Sequence, residues 1–292
     1  MKRNLQLILL FLVLGITGGS VSAETLRVVG SDFVGSALKL DSGSSETLDG
    51  ISVEYRFTGS LVGLFKIESG LADVAFVLGN SENEDTLETL PSIPLGFWGI
   101  YFAVTEENPL TQVNEADLNE ILRKSRDGLK SEWGSLLPKE PRWTNRLIFV
   151  TYDIEETDPS FPILLNQFFD NEVPEKFSSM GERLENPYLA SASNLLLFSK
   201  LPTPNRGLRS LAWVETDQSV GYPPSPESLF YGDYPLRLPL HLVVRDKDSA
   251  QVKAYLKELF TSGRLRNLEN SGLVPVPENV QKQALLEFDL EI

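Results

Sequence analysis

Between Val53 and Val77 the chain reads VEYRFTGSLVGLFKIESGLADVAFV, and few folds accommodate that order. Val53-Glu54-Tyr55-Arg56-Phe57 alternates and is rich in β-formers, which predicts a strand. Gly59 permits a tight turn, and Ser60 suits a helix start. Leu61, Leu64 and Phe65 follow at helical spacing, and Gly70 suits the end of that helix. Leu71–Val77 is mostly apolar, as a strand covered on both faces should be. Strand, turn, helix and strand make a right-handed parallel crossover. Its turn lies at the carboxyl end of the first strand, where the first helical amides lack partners and the helix dipole is positive. A polar or anionic ligand can dock there on Ser60 and those amides. Ser60 can equally serve only to cap its own helix.

The same logic appears earlier. Leu26–Val29 reads as a strand, Gly30-Ser31-Asp32 as a turn, and Phe33–Leu40 as a helix capped by Ser31 or Asp32. Two such turns at the carboxyl ends of parallel strands can flank one ligand. Asp41–Gly50 reads as a polar loop. Leu78–Pro94 reads as another, with Gly79-Asn80-Ser81 directly after a strand. Leu95–Val104 reads as one long buried strand, and Asn114 caps a helix with Leu118, Ile121 and Leu122 on its apolar face. A strand over Arg146–Thr151 leads to an acidic loop with Asp153, Glu155, Glu156 and Asp158, then to a helix over Phe161–Phe169. Ala190–Phe198 reads as a helix, Leu208–Val214 and Leu236–Val244 as strands, and Ser249–Phe260 as an amphipathic helix. Gly272–Pro277 reads as a terminal extended segment.

A chain of 292 residues stands at the size where two domains form. Its net charge of −15 argues against nucleic acid and against anionic lipid. It leaves room for a small anion held by neutral dipoles. The absence of cysteine excludes disulfides and thiolate chemistry, and the single histidine leaves little for a metal site or a catalytic triad. His241 sits in an apolar run and reads as a hydrogen-bonded structural residue. No catalytic residue, cofactor or metal is expected. Met1–Ala23 reads as a secretory leader: Lys2 and Arg3, an apolar stretch over Leu5–Ile16, then small residues ending at Ala23. Loss of Lys2 and Arg3 leaves 24 basic against 41 acidic residues, a mature charge of −17.

Five segments in order resemble the phosphate-binding proteins of ABC transporters, within the type 2 periplasmic binding proteins. They are Leu26–Leu38, Thr58–Val77 with its Gly70-x-Ala72-Asp73-Val74 pattern, Val104–Leu122 with Asn108-Pro109, Ser225–Val244, and Ser262–Val276. The resemblance implies an α/β fold of two Rossmann-like lobes joined by two hinge strands, with lobe 1 at 24–103 plus 236–292 and lobe 2 at 104–235. It implies a monomeric extracytoplasmic binder, periplasmic or secreted, that delivers a small phosphate-like anion to an ABC permease and performs no catalysis. Carried onto this chain, it implies ligand contacts at Gly30, Ser31, Asp32, Thr58, Gly59, Ser60 and Ser81, with Thr157 and Ser160 from the second lobe. The family's second lobe usually offers Arg and then Ser-Gly-Thr, whereas Thr151–Phe161 here has neither and carries four carboxylates. That departure keeps a second reading open: a scaffold or interaction protein that retains the fold without the ligand.

Overall fold

A computed structural model describes residues 25–79, 83–172, 192–202, 207–215 and 220–291. The expected leader Met1–Ala23 and the expected ligand residue Ser81 lie outside the described residues. The chain opens with β1 (Leu26–Gly30), α1 (Asp32–Leu38), β2 (Ser45–Leu48), β3 (Ile51–Phe57), α2 (Ser60–Glu68), β4 (Val74–Leu78), α3 (Glu84–Thr89) and β5 (Ser92–Gly99). Beyond Ile100 come β6 (Tyr101–Thr105), β7 (Gln112–Val113), α4 (Glu115–Arg126), β8 (Ser131–Glu132), β9 (Leu147–Asp153), α5 (Phe161–Phe168), β10 (Asn194–Phe198), β11 (Leu208–Ser210), β12 (Ala212–Trp213) and α6 (Pro226–Tyr231). The chain then returns through β13 (Arg237–Val244), α7 (Ala250–Thr261), α8 (Arg266–Asn270), β14 (Val274–Pro275) and α9 (Glu278–Leu286).

Among the described residues these strands form a seven-stranded sheet, β14-β5-β13-β4-β1-β3-β2, a five-stranded sheet, β11-β6-β10-β9-β8, and the small pair β12-β7. In the first sheet β1 runs parallel to β3 and β4, while β13 runs antiparallel to β4 and β5. Val28 and Val74 pack with Val34, Leu38, Tyr255 and Leu256 on one face, whereas Val29, Ala75 and Val77 pack with Leu64 and Ile67 on the other. Helices therefore cover both faces, which explains the unbroken apolar run of β4.

The chain changes sheets at Ile100. Its N–H donates to Leu236 O at 3.0 Å, and the Tyr234 hydroxyl donates to Ile100 O at 2.9 Å, so outgoing and returning segments lie side by side. The long strand expected over Leu95–Val104 is thus two strands in different sheets, since a buried apolar run carries no mark of where the sheet changes. β5 runs in the same sense as β1, β3 and β4, so the carboxyl ends of all four lie at the edge where the chain crosses. In the second sheet Asp153 pairs with Phe198, and Phe198 with Tyr101, the first residue past the crossing. The carboxyl ends of β9 and β10 therefore also lie at the crossing end of their sheet.

Other expectations are corrected. Within Ala190–Phe198, the residues Asn194–Phe198 are β10, a strand with every residue buried, because NLLLF is covered on both faces and shows no period. Asp41–Gly50 holds β2, which pairs antiparallel with β3. Leu208–Val214 divides into β11 and β12 at Leu211, whose N–H turns to Phe102 O.

Candidate functional site

The first-lobe edge is assembled around Gly30. With φ at +133°, this residue occupies a conformation that L side chains rarely adopt, and a Cβ there would lie 2.1 Å from Phe76 O. The glycine lets β1 and β4 approach, and the Ser31 N–H donates to Phe76 O at 2.9 Å. Gly30 O accepts from both Thr58 N–H and Gly59 N–H at 2.9 Å each. Gly63, in the first turn of α2, packs against the Gly30 backbone, where a Cβ would be 3.0 Å from Gly30 Cα. The bends at Gly30 and Gly59 therefore meet. They do so where β3 and β4 leave β1 in opposite directions, the switch point at which open α/β sheets bind ligands.

Two helices begin at this junction. The first α1 bond is Gly35 N–H to Ser31 O at 3.1 Å, and the first α2 bond is Gly63 N–H to Gly59 O at 3.0 Å. The amides of Asp32, Phe33 and Val34, and of Ser60, Leu61 and Val62, precede those ladders. Ser31 is buried and Asp32 exposed, and neither caps α1 through its side chain. Thr58 is exposed. Ser60 is the first helical residue and not the cap: Gly59, at φ +108°, holds that position, and Ser60 Oγ accepts from Leu78 N–H at 3.0 Å. Its hydroxyl thus pins the end of β4 to α2.

The second-lobe edge is built differently. After β9, Ile154 is fully buried and Pro159 is buried, and between them the chain makes a turn closed on itself. The Asp158 carboxylate accepts from Glu155 N–H at 2.8 Å, Asp158 N–H donates to Glu155 O at 2.9 Å, and Phe161 N–H donates to Asp158 O at 3.0 Å. The Thr157 hydroxyl donates to the Glu155 carboxylate at 3.4 Å. Glu155, Glu156 and Thr157 are exposed, whereas Ser160 is 0% exposed and its hydroxyl has no partner. Of the two second-lobe hydroxyls singled out by sequence, only Thr157 reaches solvent, and it lies among carboxylates.

Sequence reasoning missed the backbone of β4. Phe76 O and Leu78 N–H lock the two bends, and no side chain announces them. It also gave Asp73 no role. That carboxylate accepts from Arg27 N–H at 2.8 Å and from Arg245 at 2.6 Å, clamping β1, β4 and the end of β13 far from the crossing edge. The Gly-x-Ala-Asp pattern was its signal. The Nδ1 of His241 is buried without a partner, and burial, aided by the nearby positive charge of Arg237, pushes its pKa down to about 4. Among the described residues no group of three or more His, Cys, Asp or Glu is placed to hold a metal ion.

No protein-family model matches the chain, and no curated protein matches its sequence. Solved structures do match. A possible phosphate binding protein from Planctomyces limnophilus DSM 3776 is 16% identical, with a TM-score of 0.60 over 91% of this chain and 99% of that one. PstS from Borrelia burgdorferi is 16% identical, with a TM-score of 0.60 over 87% and 99%. An ABC-type phosphate transport receptor from Vibrio cholerae is 14% identical, with a TM-score of 0.55 over 86% and 99%. Likeness at this identity establishes the fold: the chain has the two-lobe α/β architecture of the type 2 periplasmic binding proteins.

Proposed function

We propose that this chain is an extracytoplasmic solute-binding protein that takes phosphate or a related oxyanion between its lobes and hands it to an ABC permease. The expected division, 24–103 plus 236–292 and 104–235, moves by three residues with the crossing at Ile100, to 24–100 plus 236–292 and 101–235, and removal of the leader near Ala23 releases a monomer into the periplasm or medium. The observation that carries this reading is the junction at Gly30, where two bends meet and two helices start side by side at a switch point. Unpaired helical amides and the dipoles behind them hold an anion without net positive charge, which suits a chain of charge −15. Thr58 adds an exposed hydroxyl at the same edge, and Ser31 adds a buried one. Asp32 either accepts the proton of a monohydrogen anion or stays in solvent beside α1. The work is binding, followed by a change in the angle between lobes, and not catalysis.

One observation favours the second reading, a binding-protein scaffold without a ligand: the second-lobe turn uses its own amides and presents carboxylates. Isothermal titration of inorganic phosphate into the purified chain lacking its leader separates the two. Saturable heat at one site per chain, below millimolar phosphate, is expected. Absence of heat at millimolar phosphate removes the phosphate reading and leaves the scaffold.

A further inference from the structure

We infer that the segment from Asn270 to Val276 is a strap, a third connection that restrains the angle between the lobes while no ligand is bound. The inference rests on the fold and is independent of any ligand. Two adjacent crossing segments, joined at Ile100 and Leu236, make by themselves a pliable hinge. A third contact lies beside them. Lys200 follows β10 by two residues and reaches back to the first lobe, where its Nζ donates to Asn270 O, the last residue of α8, at 3.2 Å. Its stem lies over Gly272: a Cβ on that residue would be 2.8 Å from Lys200 Cγ and 3.3 Å from Ser199 O. Gly272 has φ at +103° and closes α8 by donating to Glu269 O at 2.9 Å, so the turn under Lys200 has a fixed shape that favours glycine.

The contact continues into the interior. Val274 and Val276, with Phe97, belong to the buried cluster that contains Tyr101 and Phe198 of the second sheet, and Leu201 packs on it. The other two buried clusters hold residues of the first lobe alone. β14 cannot drift, because Val274 pairs with Phe97 and its carbonyl occupies the space where a side chain of Gly96 would stand, 2.4 Å from the Cβ position. β14 neighbours β5 on the side away from β4, β1 and β3. The strap therefore stands outside the two crossing segments, about 5 Å from β5 at ordinary strand spacing. Twisting one lobe against the other must drag Lys200 across Gly272, which the apolar contact and the Nζ bond resist.

The chain has no cysteine, so two introduced cysteines accept spin labels at those positions alone. Ser36→Cys on α1 and Asn166→Cys on α5 are exposed positions on helices of different lobes. Distances between the labels, read by double electron–electron resonance, are expected to form one narrow distribution in the otherwise native chain. Lys200→Ala, at an exposed position, is expected to spread that distribution over several ångströms with little change in the thermal melt. Gly272→Ala, which drives a Cβ into Lys200, is expected to shift the mean. A Lys200→Ala distribution as narrow as the native one, with the same mean, overturns the inference. So does a broad distribution in the native chain, because the lobes then move freely with the strap in place.

Discussion

The two lobes end their parallel strands at the same edge and fill it with opposite chemistry. In the first, one carbonyl, Gly30 O, gathers the amides of Thr58 and Gly59, and the amides that start α1 and α2 precede their helical ladders. In the second, the carboxylate of Asp158 takes the amide of Glu155, and the turn turns its acids to solvent. A polar group that is satisfied internally is not available to a ligand. On the proposed reading the first lobe therefore offers the anion its donors, and the second contributes closure, or opposes it. Two exposed carboxylates near a phosphate would not act at full strength: unscreened like charges at ~4 Å and an effective dielectric of ~20 cost about 4 kcal/mol, while exposed charges typically count for about 1 kcal/mol or less.

The comparison is broken most forcefully at Gly30. Gly30→Ala puts a Cβ 2.1 Å from Phe76 O and 2.7 Å from Phe76 N, both backbone atoms that cannot move aside without parting β1 from β4. Adding the strain of φ +133°, the cost is about 4 kcal/mol or more. Gly59→Ala meets nothing within 4 Å and bears only the strain of φ +108°, about 1–2 kcal/mol. Urea unfolding of both variants should give midpoints that differ clearly. Equal midpoints would show that the Gly30 junction is not the packed knot described.

A second difference between the lobes is where the one histidine lies. His241 is the single histidine of the chain and lies on β13 of the first sheet. Its folded pKa, about 4, lies below the ordinary 6.5 because burial and then Arg237 disfavour the charged form. The unfolded chain therefore takes up the proton first as pH falls. The associated stability is fully present above pH 6.5 and is lost between pH 6.5 and 4, about 3 kcal/mol in all. His241→Gln should flatten the fall in melting temperature over that window relative to the native chain. Parallel curves for the two proteins would refute the assignment.

Much of this was legible before any coordinates. The crossover around Gly59, the repeated strand and Gly-Ser turn at Gly30, and the cap at Asn114 follow from local chemistry, and local chemistry is what sequence records. What escaped detection depends on distant partners. Nothing in NLLLF separates a strand covered on both faces from a buried helix; pairing with β6 and β9 decides for the strand at Asn194–Phe198. Ser60 has the chemistry of a cap, but Leu78 N–H competes for its oxygen from eighteen residues away. Ser160 has the chemistry of a ligand hydroxyl, but Ile154 and Pro159 draw its turn inward. In each case a backbone group or a burial pattern outside the local window decided the outcome.

The smallest expected effect sharpens the comparison directly. If the second-lobe turn opposes an anion in the cleft, removing its charge should tighten phosphate binding without rebuilding the fold. Glu155→Gln and Glu156→Gln alter exposed side chains, and Asp158→Asn keeps an oxygen that can still accept from Glu155 N–H. At the low end of the range for exposed charges, ~0.2 kcal/mol each, the triple variant should bind phosphate about threefold more tightly at low salt, with the gain fading as salt rises. Titration calorimetry at two ionic strengths measures both. An affinity that does not move would place the acidic turn away from the ligand and restore the second lobe to a neutral partner. An affinity that falls would mean that the carboxylates themselves help hold the ligand, for instance by accepting its proton, and the division of labour between the lobes would have to be redrawn.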